Sequence, residues 1–140
     1  MAKLKKPVVK KATRTKLARE RNAGTMTESQ FFSKIRSSLR QSFRYWKPMQ
    51  NALEIASRPS QSLNKRLKKE YQCAKCKKWF KRDDVQIDHI EECGSLNKYE
   101  DIVPFIIKLT KENPQDYQIL CKTHHKEKTN NYLSSKKLKK

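Results

Sequence analysis

The sequence predicts a small α+β fold in which a basic helical region precedes a module of short strands and helices. In the first half, apolar residues recur at three- and four-residue steps between positions 32 and 46, as on one face of a helix. From position 71 onward, short alternating segments such as 85–87 and 117–120 are typical of strands. The second half also contains paired cysteine and histidine residues at metal-ligand spacing.

The first helical region is expected to begin at 25–28, where Thr-Met-Thr-Glu has the pattern of a capping box. Proline has no backbone N–H, so 47–48 should end or kink this helix before a short second helix over 49–57. Residues 58–60 are predicted to be a break, and 61–70 a linker or a further helix. The apolar stripe of the first helix consists of Phe32, Ile35, Leu39, Phe43 and Trp46.

The second half contains two further predicted helices. One should begin near Ile102 or Val103, because Pro104 is tolerated only in a first helical turn. The other should run from residue 122 to about 133. The predicted domains are a basic arm that is disordered alone, a helical DNA-contacting region with its linker, a zinc-stabilised module and a Lys-rich tail; their ranges are 1–24, 25–70, 71–134 and 135–140.

The charge of the chain predicts a polyanionic partner. Its 34 Lys and Arg residues against 14 Asp and Glu residues give a formal net charge of +20, which favours nucleic acid, in this case double-stranded DNA. A solvated basic surface or a ribosomal-type RNA coat protein would explain the charge alone. No apolar run reaches membrane-span length and no signal peptide is visible, so a reducing cytoplasm, that of a host cell if the chain is phage-encoded, is the expected setting.

Two half-sites with the same spacing predict a structural zinc ion. Cys73 and Cys76 are separated by two residues, as are Cys121 and His124. Together they form a Cys3His set, which suits tetrahedral zinc. Cys93 could replace His124 as the fourth ligand, but the matched spacing favours His124 and leaves Cys93 as a small buried residue.

A second group of residues remains after zinc has its four ligands. Asp88 and His89 stand side by side at the end of a predicted strand, and His125 directly follows a predicted zinc ligand. Asp88 and His125 can hold a divalent cation such as Mg²⁺ or Mn²⁺, and His89 can take a proton from an attacking water. By itself, however, an Asp-His pair is also compatible with a surface pair that has no function.

Taken together, these motifs resemble the HNH nucleases with a ββα-metal site. The matching features are the CxxC pair, Asp-His-Ile at 88–90 and Leu-Cys-x-x-His-His-x-x-Lys-Thr at 120–129. The segment 33–40, Ser-Lys-Ile-Arg-Ser-Ser-Leu-Arg, is similar to one that precedes the zinc module in small free-standing HNH endonucleases of tailed bacteriophages. The resemblance covers roughly 31–130 and implies that His89 is the general base and that Asp88 and His125 are ligands of the catalytic cation.

The sequence departs from the family pattern at two positions. His124 stands where the family usually has a zinc-binding Cys, which preserves a set able to bind zinc. Asp116 stands where the family has the Asn that orients the general base. The resemblance therefore implies that Asp116 orients His89, and a carboxylate there would raise the pKa of His89 or reach the cation. We expect activity that is reduced or shifted to alkaline pH.

The function predicted from the sequence is a metal-dependent DNA endonuclease, of phage homing or nicking type, acting as a monomer or dimer. The alternative is a catalytically weak or inactive zinc module that binds nucleic acid, or a phage or host protein. The expected DNA contacts are Arg36, Arg40, Arg44, Lys47 and Lys128.

Overall fold

The computed structural model describes residues 17–139, and this part of the chain has an α+β fold with four α-helices and two small antiparallel sheets. Most of the predicted basic arm, residues 1–16, lies outside the described residues. No helix among those described is long and apolar enough to cross a lipid bilayer. In chain order the elements are α1 (Glu28–Ser42), α2 (Lys47–Ile55), β1 (Ser57–Pro59), β2 (Lys69–Gln72), β3 (Trp79–Phe80), β4 (Val85–His89), α3 (Ile102–Leu109), β5 (Tyr117–Cys121) and α4 (Lys122–Leu138).

Helix α1 begins with a capping box two residues later than predicted. Thr27 is the N-cap: its hydroxyl accepts from the Gln30 backbone N–H at 3.2 Å, while the Gln30 side chain accepts from the Thr27 N–H at 3.0 Å. Thr25 lies in a preceding turn, where its hydroxyl donates to the Asn22 carbonyl at 2.8 Å and accepts from the Asn22 side chain at 2.9 Å. Thr25 and Thr27 are both suitable residue types for an N-cap, and the turn before α1 decides that Thr27 has this role.

The apolar stripe of α1 packs into the core of the zinc module. Phe32 is buried with Cys93, Leu96, Phe105 and Leu109, and partly buried side chains of α1 surround this cluster. The indole N–H of Trp46 also donates to the Lys111 carbonyl at 3.1 Å. The N-terminal helical region is therefore part of the same core, which places one face of α1 beside the loop that follows β4.

Phe105 is the largest fully buried side chain of this core, with 0% exposure. We expect Phe105→Ala to lower the free energy of unfolding by about 3–5 kcal/mol, because it removes buried apolar surface and leaves a cavity. Urea unfolding of the zinc-loaded protein measures this. A change within about 0.5 kcal/mol would contradict the packing, since that is the usual range for surface positions.

The predicted break at 58–60 is instead largely a strand. β1 pairs with β2, and β2 pairs with β3, to form the three-stranded sheet. An edge strand tolerates Pro59, which has no N–H to donate. Arg58 fixes the pairing, since it bonds Glu70 at 3.0 Å across the strands and its guanidinium carbon lies 3.9 Å from the centre of the Trp79 ring. Residues 60–68 form a loop and 69–70 belong to β2, so the further helix that was considered over 61–70 does not form.

The second sheet and α4 form the strand–strand–helix part of the molecule. β4 and β5 pair antiparallel, with Asp88 opposite Gln118 and His89 opposite Tyr117. Helix α4 follows β5 without a loop and continues to Leu138, so most of the predicted Lys-rich tail at 135–140 is helical. Helix α1 ends at Ser42, before the predicted end at 47–48. Helix α2, predicted over 49–57, spans Lys47–Ile55 instead, because Pro48 is tolerated in its first turn, where no backbone N–H is needed. Helix α3 begins at Ile102 as predicted.

Candidate functional site

The four predicted zinc ligands lie together. Cys73 and Cys76 occupy the turn after β2, Cys121 ends β5, and His124 lies in the first turn of α4. Their ligand atoms all lie within 4.8 Å of one another, and Nδ1 of His124 is 3.2 Å from Sγ of Cys121 and 3.6 Å from Sγ of Cys73. Ligands of one tetrahedral zinc with bonds of about 2.1–2.3 Å are separated by roughly 3.4–3.8 Å. The set therefore fits a structural zinc ion.

The thiol of Cys73 is prepared for a metal ion. Burial raises its pKa, but hydrogen bonds to its sulfur have a larger, opposite effect and bring the pKa down to about 6. The donors are the backbone N–H groups of Cys121, Cys76 and Lys75 and the His124 side chain. Burial raises the pKa of Cys121, and the nearby Cys73 adds to this effect. A divalent cation would favour the thiolate form of both residues, because it offsets their mutual repulsion.

Cys93 has a structural position away from this cluster. It is 4% exposed and packs with Phe32, Leu96, Phe105 and Leu109. Burial raises the pKa of its thiol, so the uncharged form is favoured there. The choice of His124 rather than Cys93 as the fourth member of the cluster is confirmed.

Asp88 is a buried carboxylate held by two donors. The side chain of Gln118, its partner on β5, donates to Oδ2 at 2.8 Å, and Nζ of Lys128 on α4 lies 2.6 Å from the same oxygen. Lys128 also donates to the His89 carbonyl at 2.6 Å. Partial burial lowers the pKa of Lys128, but the hydrogen bond and charge of Asp88, together with Glu92, raise it above its usual value. The ammonium thus fixes the carboxylate, whereas the sequence had placed Lys128 among the DNA contacts.

The second oxygen of Asp88 faces His125. Oδ1 of Asp88 lies 3.9 Å from Nε2 of His125, a separation that two ligands of one cation can have, since octahedral bonds to Mg²⁺ are about 2.0–2.1 Å long. Neighbouring residues of a helix point about 100° apart, which explains how His124 faces the zinc cluster while His125 faces Asp88. Oδ1 and Nε2 are therefore the pair of atoms that could hold a divalent cation.

His89 is oriented by a backbone carbonyl. Its Nε2 lies 3.0 Å from the Leu109 carbonyl oxygen at the end of α3, and its ring packs edge-to-face on Tyr117 with centroids 4.9 Å apart. Donation from Nε2–H leaves Nδ1 as the nitrogen that can accept a proton. Nothing in the sequence pointed to this contact, because every residue carries a carbonyl group.

The pKa of His89 moves in the opposite direction to the one expected from Asp116. Burial lowers the pKa, and the hydrogen bond to Leu109 opposes this effect without reversing it. Asp116 lies in the short 3₁₀ turn before β5, where its backbone carbonyl accepts from the Ile90 N–H at 3.0 Å. The raised pKa expected for His89 is therefore not found, while the reduced or alkaline-shifted activity and an orienting role for the Asp116 side chain stay predictions.

A cleft of about 360 Å³ joins these groups to the basic surface of α1. Asp88, His89 and His125 line it, and so do Arg36 and Arg40.

The sequence predicts a basic ridge at three- and four-residue steps that consists of Arg36, Arg40, Arg44 and Lys47, and its last two members lie outside the cleft. The guanidinium of Arg44 stacks on Tyr45 at 4.8 Å, and Lys47 is the exposed first residue of α2. The turn after Ser42 divides the ridge, so that only two of its four cations reach the cleft.

Comparisons of this chain with protein-family models, curated proteins and solved structures find no match.

Proposed function

We propose that the protein is a metal-dependent DNA endonuclease of the HNH type. The observation that carries the proposal is that Asp88, His89 and His125 line one cleft, although they come from β4 and α4. The antiparallel pair β4–β5, followed directly by α4, supports a ββα-metal site, with α3 inserted between the two strands. The adjacent Cys3His cluster supports the same assignment, because it would fix the start of α4 and hence the position of His125.

In the proposed reaction, each residue of the cleft has a separate task. Oδ1 of Asp88 and Nε2 of His125 would hold Mg²⁺ or Mn²⁺, while Lys128 and Gln118 keep the carboxylate in place. A cation bound there supplies positive charge that stabilises the negative charge developing on the phosphate and on the leaving oxygen. Asp88 is only 8% exposed, so this charge would act in a partly dehydrated environment.

His89 is the general base of the proposal. Its Nδ1 accepts a proton from a water molecule, whose oxygen forms a new bond to phosphorus as the bond between phosphorus and the 3′ oxygen breaks. The leaving 3′ oxygen takes a proton from solvent. The products are a 5′ phosphate and a 3′ hydroxyl. The lowered pKa of His89 favours the neutral imidazole, which is the form that can accept this proton.

Plasmid nicking tests the proposal. Zinc-loaded protein incubated with supercoiled plasmid should convert it to open-circular or linear DNA when Mg²⁺ or Mn²⁺ is added. Zinc-loaded protein without added Mg²⁺ or Mn²⁺ should leave the plasmid intact, as should EDTA. The control without added metal is needed because EDTA also removes the structural zinc. It shows whether the loss of nicking is due to the missing Mg²⁺ or Mn²⁺ alone. If the plasmid stays intact with Mg²⁺ and also with Mn²⁺, the endonuclease is refuted.

A second candidate function has an observation of its own. The Lys128 ammonium lies 2.6 Å from Asp88 and already neutralises much of the charge that would attract a cation. This favours a zinc-containing module that binds DNA without cleaving it. Such a module would bind the plasmid with an affinity that falls steeply with salt concentration, and would not nick it with any divalent metal.

A further inference from the structure

Three cationic side chains line the cleft beside Asp88 and His89. Arg36 and Arg40 lie one helical turn apart on α1, and Lys136 comes from the last turn of α4, in the segment the sequence had assigned to a tail. Among residues 17–139, none of these three cations lies within 4.0 Å of a carboxylate. Their positive charge is therefore available to an anion in the cleft.

Neighbouring side chains hold Arg40 and Lys136 without neutralising them. The guanidinium carbon of Arg40 lies 5.5 Å from the centre of the buried Phe105 ring. Nζ of Lys136 donates to the Ser95 hydroxyl and lies 5.1 Å from the centre of the Tyr132 ring. These contacts order the side chains in advance, which reduces the entropy cost of binding a ligand.

On the basis of the proposed function, we infer that Arg36, Arg40 and Lys136 bind the phosphodiester that is cleaved, and not only the flanking backbone. Guanidinium groups can bind two phosphate oxygens at once, and the cleft that they line also contains the proposed base and metal ligands. Helix α1 is then part of the active site. Arg44 and Lys47 lie outside this cleft and can only contact more distant phosphates.

Binding of a single phosphodiester tests this inference without requiring cleavage. Thymidylyl-(3′→5′)-thymidine contains one phosphodiester and no flanking phosphates. It should be titrated into the zinc-loaded full chain without Mg²⁺, and the guanidinium Nε–H signals of Arg36 and Arg40 followed by NMR. We expect both signals to shift saturably. Arg36→Gln and Arg40→Gln should each weaken binding by about 10-fold or more, the usual range for a lost hydrogen bond to a charged group.

Two controls separate phosphate recognition from general charge effects. Lys34→Gln makes the same change in charge on α1, but Lys34 lies beside Met26 and Gln30, away from the cleft, and should bind like the parent. The uncharged methylphosphonate analogue of the dinucleotide should not shift the two signals. Absence of saturable shifts in the parent, or equal weakening by Lys34→Gln, would overturn the inference.

Plasmid nicking measured in parallel distinguishes a failure of the phosphodiester site from a failure of the proposed endonuclease function. Saturable binding at Arg36 and Arg40 without nicking would support the phosphodiester site and refute the endonuclease. Nicking by the parent together with unchanged dinucleotide binding in Arg36→Gln and Arg40→Gln would support the endonuclease and overturn the site.

Discussion

His89→Ala should reduce plasmid nicking by a factor of about 10² to 10⁴, the usual contribution of a general base. The reason is that no other group in the described cleft combines a free imidazole nitrogen with an orienting hydrogen bond, here to the Leu109 carbonyl. The rate of conversion of supercoiled to open-circular plasmid, at saturating Mg²⁺, measures the loss. Nicking at the parental rate would show that His89 is not the base.

A second substitution separates chemistry from folding at this position. His89→Gln keeps an N–H donor for the Leu109 carbonyl but cannot accept a proton near neutral pH. It should therefore retain the zinc content and unfolding midpoint of the parent while losing activity as His89→Ala does. Partial recovery of His89→Ala on addition of imidazole would give independent support for proton transfer at this site. Full activity of His89→Gln would restrict the residue to a structural role.

Cys121→Ser should abolish stoichiometric zinc binding and cooperative unfolding. Structural zinc contributes about 10–16 kcal/mol in small zinc-binding peptides, which is comparable to the total stability of about 5–15 kcal/mol of a typical domain. Cys121 also joins β5 to α4, so losing its bond to zinc would release His125 together with His124. Zinc content by atomic absorption and thermal unfolding by circular dichroism measure the two effects.

Cys93→Ala is the matched control, because Cys93 and Cys121 are both 4% exposed. It should retain one zinc per chain and lose only about 1 kcal/mol of stability, as is common for a small change at a buried site. Equal loss of zinc in both variants would contradict the assignment of His124 as the fourth ligand. Full zinc binding by Cys121→Ser would contradict the cluster itself.

Much of the zinc site could be predicted from the sequence, because ligand type and spacing are local properties. The pairs Cys73–Cys76 and Cys121–His124 each lie within one turn of the chain, and each pair needs only a tight turn to converge. The helical stripe of α1 and the strands β4 and β5 were also predictable, because their periodicity reflects the face that is buried. His124 and His125 face different sites because neighbouring residues of a helix point about 100° apart.

Other features of the candidate site depend on residues that are distant in the chain. Lys128 holds Asp88 from 40 residues away, and the carbonyl that orients His89 belongs to Leu109, 20 residues away. Strand β1 forms where a break was expected, because its pairing with β2 compensates for Pro59 at the sheet edge. Local sequence cannot encode such contacts, because any lysine or any carbonyl could make them.

The sequence by itself determined which residue types are present at the Cys3His cluster and at the proposed hydrolytic site, and it determined the periodicity of the elements that carry them. Only the tertiary structure decided that Arg36 and Arg40 of α1 line the same cleft as Asp88, whereas Arg44 does not. It also decided that burial lowers the pKa of His89. The physical reason is that charge, burial and orientation at a site depend on packing between segments that are far apart in sequence.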